Sequence, residues 1–110
     1  MDFIYLPGFV KRLKALSKKC PSLKNDFSGF LEQLKKFPQT GTHLGKDCYK
    51  IRLAIKSKSK GKNGGARVIS CVKIQNDTIY FLAIYDKSEL SSISDLDLKV
   101  FVDSIHQTKE

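Results

Sequence analysis

A chain of 110 residues with a hydrophobic fraction of 41% is sized and composed for one globular domain spanning 1–110, not for a disordered basic tail. Its 20 Lys and Arg against 11 Asp and Glu leave a net charge of +9, a field that attracts polyanions: nucleic acid, an acidic membrane surface or an acidic protein segment. Cys20, Cys48 and Cys71 form no CxxC pair and have only His43 and His106 beside them, which argues against a structural zinc site and suits reduced thiols in the cytoplasm. The acidic second residue and Pro7 break any signal-peptide pattern, and the longest apolar run, Ile79 to Tyr85, is too short to span a bilayer. The expectation is a soluble cytoplasmic protein whose chemistry uses no metal or cofactor.

Phe3 to Leu6 is a short apolar segment ended by Pro7-Gly8, which predicts an edge strand running into a turn. In FVKRLKALSKK, Phe9, Val10, Leu13 and Leu16 recur at helical spacing, and Pro21 ends the helix. Ser22 is placed to cap a second helix with the apolar stripe Leu23, Phe27, Phe30, Leu31, Leu34 and Phe37, and Pro38 stops it. The two read as a helical hairpin made to cover a sheet. Gln39 to Lys46 reads as a polar loop containing Gly41 and Gly45.

From Tyr49 to Lys56 the period becomes two: Tyr49, Ile51, Leu53 and Ile55 alternate with Lys50, Arg52, Ala54 and Lys56. SKSKGKNGG, 57–65, is a lysine-glycine loop. Ala66 to Ile74 and Thr78 to Tyr85 predict two more strands joined by a tight turn at Gln75-Asn76-Asp77, the second apolar on both faces and therefore interior. Ser94 with Asp97 is a capping-box-like start for a C-terminal helix. The order β-α-α-β-β-β-α predicts an α+β fold, with the helices on one face of an antiparallel meander sheet.

The charge is concentrated. Between Lys46 and Lys73 stand nine cations (Lys46, Lys50, Arg52, Lys56, Lys58, Lys60, Lys62, Arg67 and Lys73) and one acid, Asp47, so this stretch holds +8 of the total of +9. Alternation puts Lys50, Arg52 and Lys56 on one face of their strand, at steps of about 7 Å that match the spacing of nucleic-acid phosphates. Lysines often do no more than solvate a sheet, but solubility is better served by mixed signs. Lys46, Lys56, Lys58, Lys60, Lys62 and Lys73 are therefore candidate nucleic-acid-binding residues, and composition leaves DNA or RNA open. Tyr49, Tyr80 and Phe81 read as core; Tyr85, at a strand end, is the one aromatic placed to reach a site.

YKIRLAIKSKSKGKNGGARVISCV, followed by IYFLAIYDKSE and an ISD-capped helix, resembles the RelE/ParE superfamily of toxins, nearest the HigB/RelE-like branch with its KIR…GKGGARVI pattern. The resemblance covers Tyr49 to Glu89 well and is loose over FVKRLKALSKKCPSL. It implies a RelE-like fold and the toxin of a type II toxin–antitoxin system. It further implies an endoribonuclease, an mRNA interferase that cuts mRNA in the ribosomal A site, inhibits translation and is silenced by a cognate antitoxin in a hetero-oligomer. Under it, Lys50 and Arg52 match the family's basic pair, Arg67 the arginine of the following strand, and Lys87 the basic residue after the last strand. These four are the candidate catalytic residues. The best-known RelE members carry a tyrosine shortly after that last position, where this chain has Ser91-Ser92-Ile93.

RNA cleavage needs a base for the 2′-OH, cations on the phosphorane and an acid for the leaving 5′ oxygen. The guanidinium fork suits the phosphorane, hence Arg67 and Arg52. Like charges disfavour a lysine's protonated form, which makes Lys50 the candidate base and Lys56 or Lys87 the acid. His43 and His106 read as an ordinary loop histidine and a surface histidine. Two rival readings keep the charge and change the act: a ParE-like, non-catalytic inhibitor of DNA gyrase, and a non-catalytic RNA- or ribosome-binding module. In each, the net charge invites an acidic antitoxin segment.

Overall fold

The computed structural model of the chain describes residues 1–58, 65–86 and 93–108. In chain order these form β1 (Asp2–Tyr5), α1 (Pro7–Lys19), α2 (Leu23–Lys36), β2 (Thr42–Gly45), β3 (Cys48–Leu53), β4 (Ala66–Lys73), β5 (Thr78–Asp86) and α3 (Asp95–Thr108), with 3-10 turns at Lys56–Lys58 and Ile74–Asn76. The strands make one five-stranded mixed sheet in the order β1-β5-β4-β3-β2. β3, β4 and β5 are the expected antiparallel meander.

The two outer strands extend that plan. β1 is the expected edge strand, and it lies parallel to β5. β2 forms within the stretch expected to be loop, because Gly45, Lys46 and Asp47 all take positive φ and turn the chain back onto β3. Gly41 makes room for that edge: at φ +102° a Cβ there would collide with the Lys50 carbonyl oxygen.

Pro7 opens α1 at its first turn, where a missing N–H costs nothing. α1 and α2 bury their apolar stripes on one face of the sheet, where Phe9, Phe27 and Phe30 meet Ile51, Val68, Val72, Ile79 and Phe81. The ring centroids of Tyr5, Phe9 and Phe27 lie 5.1, 5.3 and 5.9 Å from that of Phe81, an aromatic centre under the hairpin. Ser22 stands at the N-cap position of α2 but makes no capping bond, since its backbone is already helical; its hydroxyl is used elsewhere, as shown below. α3 begins as expected, with Asp97 N–H donating to Ser94 Oγ at 3.1 Å.

One expectation is corrected. The helices do not share a face: α3 packs on the face opposite the hairpin, where Leu98 and Ile105 join Ile69, Cys71, Tyr80, Leu82 and Tyr85 in a second apolar cluster. The reason is in β4 and β5, which are buried along nearly their whole length and so need cover on both sides.

Candidate nucleic-acid interface and active site

The alternation of β3 holds. Ile51, Leu53 and Ile55 are buried under the hairpin, while Lys50 is half-buried and Arg52 exposed on the other face. Register then builds a row across three strands. Arg52 is directly opposite Arg67 on β4, and Arg67 is directly opposite Tyr85 on β5. Directly opposed residues point to the same side, so Arg52, Arg67 and Tyr85 line up across the sheet, with Lys50 one step along β3.

Tyr85 reaches this row through a bulge. Ile69 pairs with Ala83 and Ser70 with Phe81, leaving Leu82 as an extra residue on β5. Before it, Ile79 and Phe81 face the hairpin; after it Ile84 does, and Tyr85 belongs to the opposite cluster. Uninterrupted alternation would have placed Tyr85 beside Phe81 under the hairpin.

The row is unusual in its electrostatics. Arg67 is only 7% exposed, and its guanidinium donates to the Ala66 carbonyl at 3.2 Å, with no carboxylate partner among the described residues. Tyr85 is 5% exposed and its hydroxyl has no hydrogen-bond partner among the described residues. Burial pushes the Tyr85 phenol above its ordinary range, and the nearby Arg67 charge only partly opposes that. The phenol is therefore a protonated donor at neutral pH. A buried cation and a buried O–H, both with bonding capacity unused among the described residues, are groups of the kind that can stabilise an anionic oxygen.

No protein-family model matches the sequence, and no curated protein matches it. Solved structures do. An arginine double mutant of E. coli toxin RelE in the free state superposes with a TM-score of 0.59 at 15% identity, covering 82% of this chain and 86% of that one. The isolated E. coli RelE toxin covers 97% of each chain, with a TM-score of 0.58 at 14% identity. The fold is that of RelE. A third match is the intact E. coli RelBE toxin–antitoxin complex, with a TM-score of 0.58 at 16% identity over 76% of this chain and 92% of that one.

On this RelE-like frame, three of the four expected catalytic residues, Lys50, Arg52 and Arg67, come together. Lys87 lies outside the described residues, as do Lys60 and Lys62, and the side chain of Lys58 is not among those described. Lys56 departs from the row. The strand ends at Leu53, and the Lys56 N–H is bound by Asp26 Oδ2 of α2 at 2.9 Å, so the chain has turned toward the hairpin before Lys56 is reached. The three-cation face read from alternation is thus a Lys50–Arg52 pair.

Lys46 and Lys73 lie at the other end of the sheet, about 20 Å from the arginines along β4. Lys73 there pairs with Asp47 at 3.3 Å. His43 is directly opposite Tyr49, their ring centroids 5.1 Å apart, which fixes it on the hairpin side and away from the row. Tyr85 is the residue that alternation misplaces; its position at the strand end was the available signal. No group of three metal-ligating side chains occurs among the described residues, and no described helix is long and apolar enough to cross a membrane.

Proposed function

We propose that this chain is the toxin of a toxin–antitoxin pair and that it cleaves mRNA on the ribosome. The observation that carries the reading is the Arg52–Arg67–Tyr85 row: a buried arginine and a buried phenol that find no carboxylate and no hydrogen-bond partner, respectively, among the described residues, flanked by Lys50 and an exposed arginine, on a RelE-like sheet. Arg67 and Arg52 hold the scissile phosphate and gain most from the phosphorane, where charge accumulates. Lys50, one step along the strand, takes the 2′-OH proton. Tyr85 donates its O–H to a phosphorane oxygen or to the departing 5′ oxygen. Lys87, which follows β5 in sequence, is the other candidate donor.

With no imidazole in the row, acid–base help is modest, and ribosomal alignment of the RNA supplies much of the barrier reduction. The antitoxin partner is supported by the net charge of +9 and by the likeness to the RelE subunit of the RelBE complex. An acidic antitoxin segment neutralises the same cations that grip RNA.

The test is mapping of mRNA ends in a translation reaction, with and without ribosomes, for wild type and Arg67→Ala. New ribosome-dependent ends that vanish in the variant support the reading. Intact mRNA in every lane sinks it, and gyrase trapping and simple RNA binding are then the measurements that follow.

A further inference from the structure

The sheet carries a second buried group that the RNA chemistry does not use. Cys48 on β3 and Cys71 on β4 are directly opposite each other, and both are 0% exposed. The Val72 N–H donates to the Asp47 carbonyl at 2.9 Å, one step outside the pair. That placement makes Cys48–Cys71 a non-hydrogen-bonded pair, the kind whose side chains approach most closely, with Cα atoms about 4.5 Å apart. This is within the Cα range that a disulfide spans. The two sulfurs also converge on one acceptor: Cys48 Sγ lies 3.4 Å and Cys71 Sγ 3.8 Å from the Lys46 carbonyl oxygen. Cys20, the third thiol, belongs to the hairpin core on the opposite face.

We propose that Cys48 and Cys71 form a reversible cross-strand disulfide, making the β3–β4 pair a redox-responsive staple. The oxidant is a small peroxide, the class of molecule that can enter when the turn over the two thiols opens. The Cys71 thiolate attacks the peroxide: an S–O bond forms, the O–O bond breaks and water leaves after protonation. Cys48 sulfur then attacks the Cys71 sulfenic acid: the S–S bond forms, the S–O bond breaks, and the Cys48 proton leaves with the second water. The two thiols together lose two electrons and two protons, and one peroxide is reduced to two waters. The roles follow from the pairing: the interaction between the two side chains holds Cys71 below the usual thiol range and, with burial, pushes Cys48 above it.

The ring closed by this bond contains residues 49–70. It holds Lys50, Arg52, Lys56, Lys58, Lys60, Lys62 and Arg67, seven of the nine cations between Lys46 and Lys73. The bond therefore restrains the whole cationic segment in the unfolded chain without touching the arginine row.

The experiment exposes the folded protein to hydrogen peroxide, blocks free thiols under denaturing conditions, and measures intact mass, linked peptides and the thermal midpoint. The expected result is a monomer that takes up one blocking group, at Cys20, where the untreated protein takes up three, a tryptic cross-link between Cys48 and Cys71, and a melting temperature raised on the order of 10 °C. Cys20→Ala behaves as wild type, and Cys48→Ala and Cys71→Ala each lose the cross-link. A mass that stays unchanged or only gains oxygen overturns the proposal, as does a cross-link to Cys20 or between two copies. Because the decisive readout is the wild-type peptide map, poor folding of an alanine variant does not blunt it.

Discussion

Arg67 and Tyr85 face each other across β4 and β5, and both are buried with bonding capacity left over. For the phenol, this separates stability from function. A buried hydroxyl without a partner costs about 1–3 kcal/mol, so Tyr85→Phe should leave the unfolding free energy unchanged or raise it by up to that amount. The same substitution removes the proposed proton donor, and cleavage should fall by about 100-fold or more. Urea unfolding and end-mapping on one preparation check both. A Tyr85→Phe protein that is markedly less stable would mean the hydroxyl has a partner in the folded state.

Burial raises the Tyr85 phenol, and it raises Tyr5 in the same direction. The folded state then holds these protons more tightly than the unfolded chain, whose phenols titrate near the ordinary 10.0. Stability from this source is full below about pH 10 and is lost as pH climbs toward the higher folded values. Tyr85→Phe should flatten the decline above pH 10, and Tyr5→Phe with Tyr85→Phe should flatten it further. Denaturant midpoints measured every half pH unit from neutrality to about pH 11 would show it; parallel curves for wild type and double variant count against buried phenols as the source.

Much of this fold is legible from periodicity. The hairpin, the β3–β5 meander and the capped C-terminal helix follow from apolar spacing and from Pro7, Pro21, Pro38 and Ser94. Where alternation fails, a single backbone event is responsible. The extra Leu82 in β5 reverses the side to which later residues point and moves Tyr85 to the arginines. Lys56 drops out of its row because Asp26, thirty residues away in sequence, captures its amide. The position of α3 was hidden because an apolar stripe says that a helix is covered, not which face of a sheet covers it. Lys50 and Arg52 were legible as a pair from the strand pattern, while Arg67 joined them only through the family resemblance.

Arg67 poses the complementary question in charge. A guanidinium buried against a lone carbonyl bears a desolvation cost that no described carboxylate offsets. Arg67→Met keeps the aliphatic stem and should stabilise the protein by about 1–3 kcal/mol, while abolishing cleavage. Arg67→Lys keeps the charge but loses the two-pronged grip, and should retain RNA binding with cleavage reduced. A destabilised Arg67→Met would point to a counter-ion paired with the arginine.

The two ends of the sheet should differ in RNA affinity. Each phosphate contact contributes about −0.7 to the slope of log affinity against log salt for a single strand. Lys50→Ala and Arg52→Ala should each flatten that slope by about one contact's worth, because both stand on the arginine side. Lys46→Ala and Lys73→Ala, at the turn end where Lys73 already pairs with Asp47, should leave it as in wild type. Fluorescence anisotropy over a salt series with an unstructured oligonucleotide reads the slopes. Equal losses at both ends would mean that RNA lies along the whole length of β3 rather than across its arginine end.

The turn that carries Lys56 is held by a compact polar contact with the start of α2. Asp26 Oδ2 accepts the Lys56 N–H at 2.9 Å and the Ser22 hydroxyl at 2.6 Å, and Ser22 Oγ accepts the Ser57 N–H at 2.8 Å. The Ser22 N–H completes it, donating to Ser57 Oγ at 3.3 Å. Opposite this contact Gly65 lies so close to the Leu53 carbonyl that a Cβ there would collide with it. The segment between β3 and β4 is thus anchored at both ends, at one by hydrogen bonds and at the other by close packing. Asp26→Ala frees the Lys56 amide and one seryl hydroxyl, and should cost about 1 kcal/mol for an exposed bond set of this kind. Hydrogen exchange localises the effect: the Lys56 and Ser57 amides should lose protection while the β4 amides keep theirs. Loss of protection across β4 as well would show that the anchor supports the sheet and not only the turn.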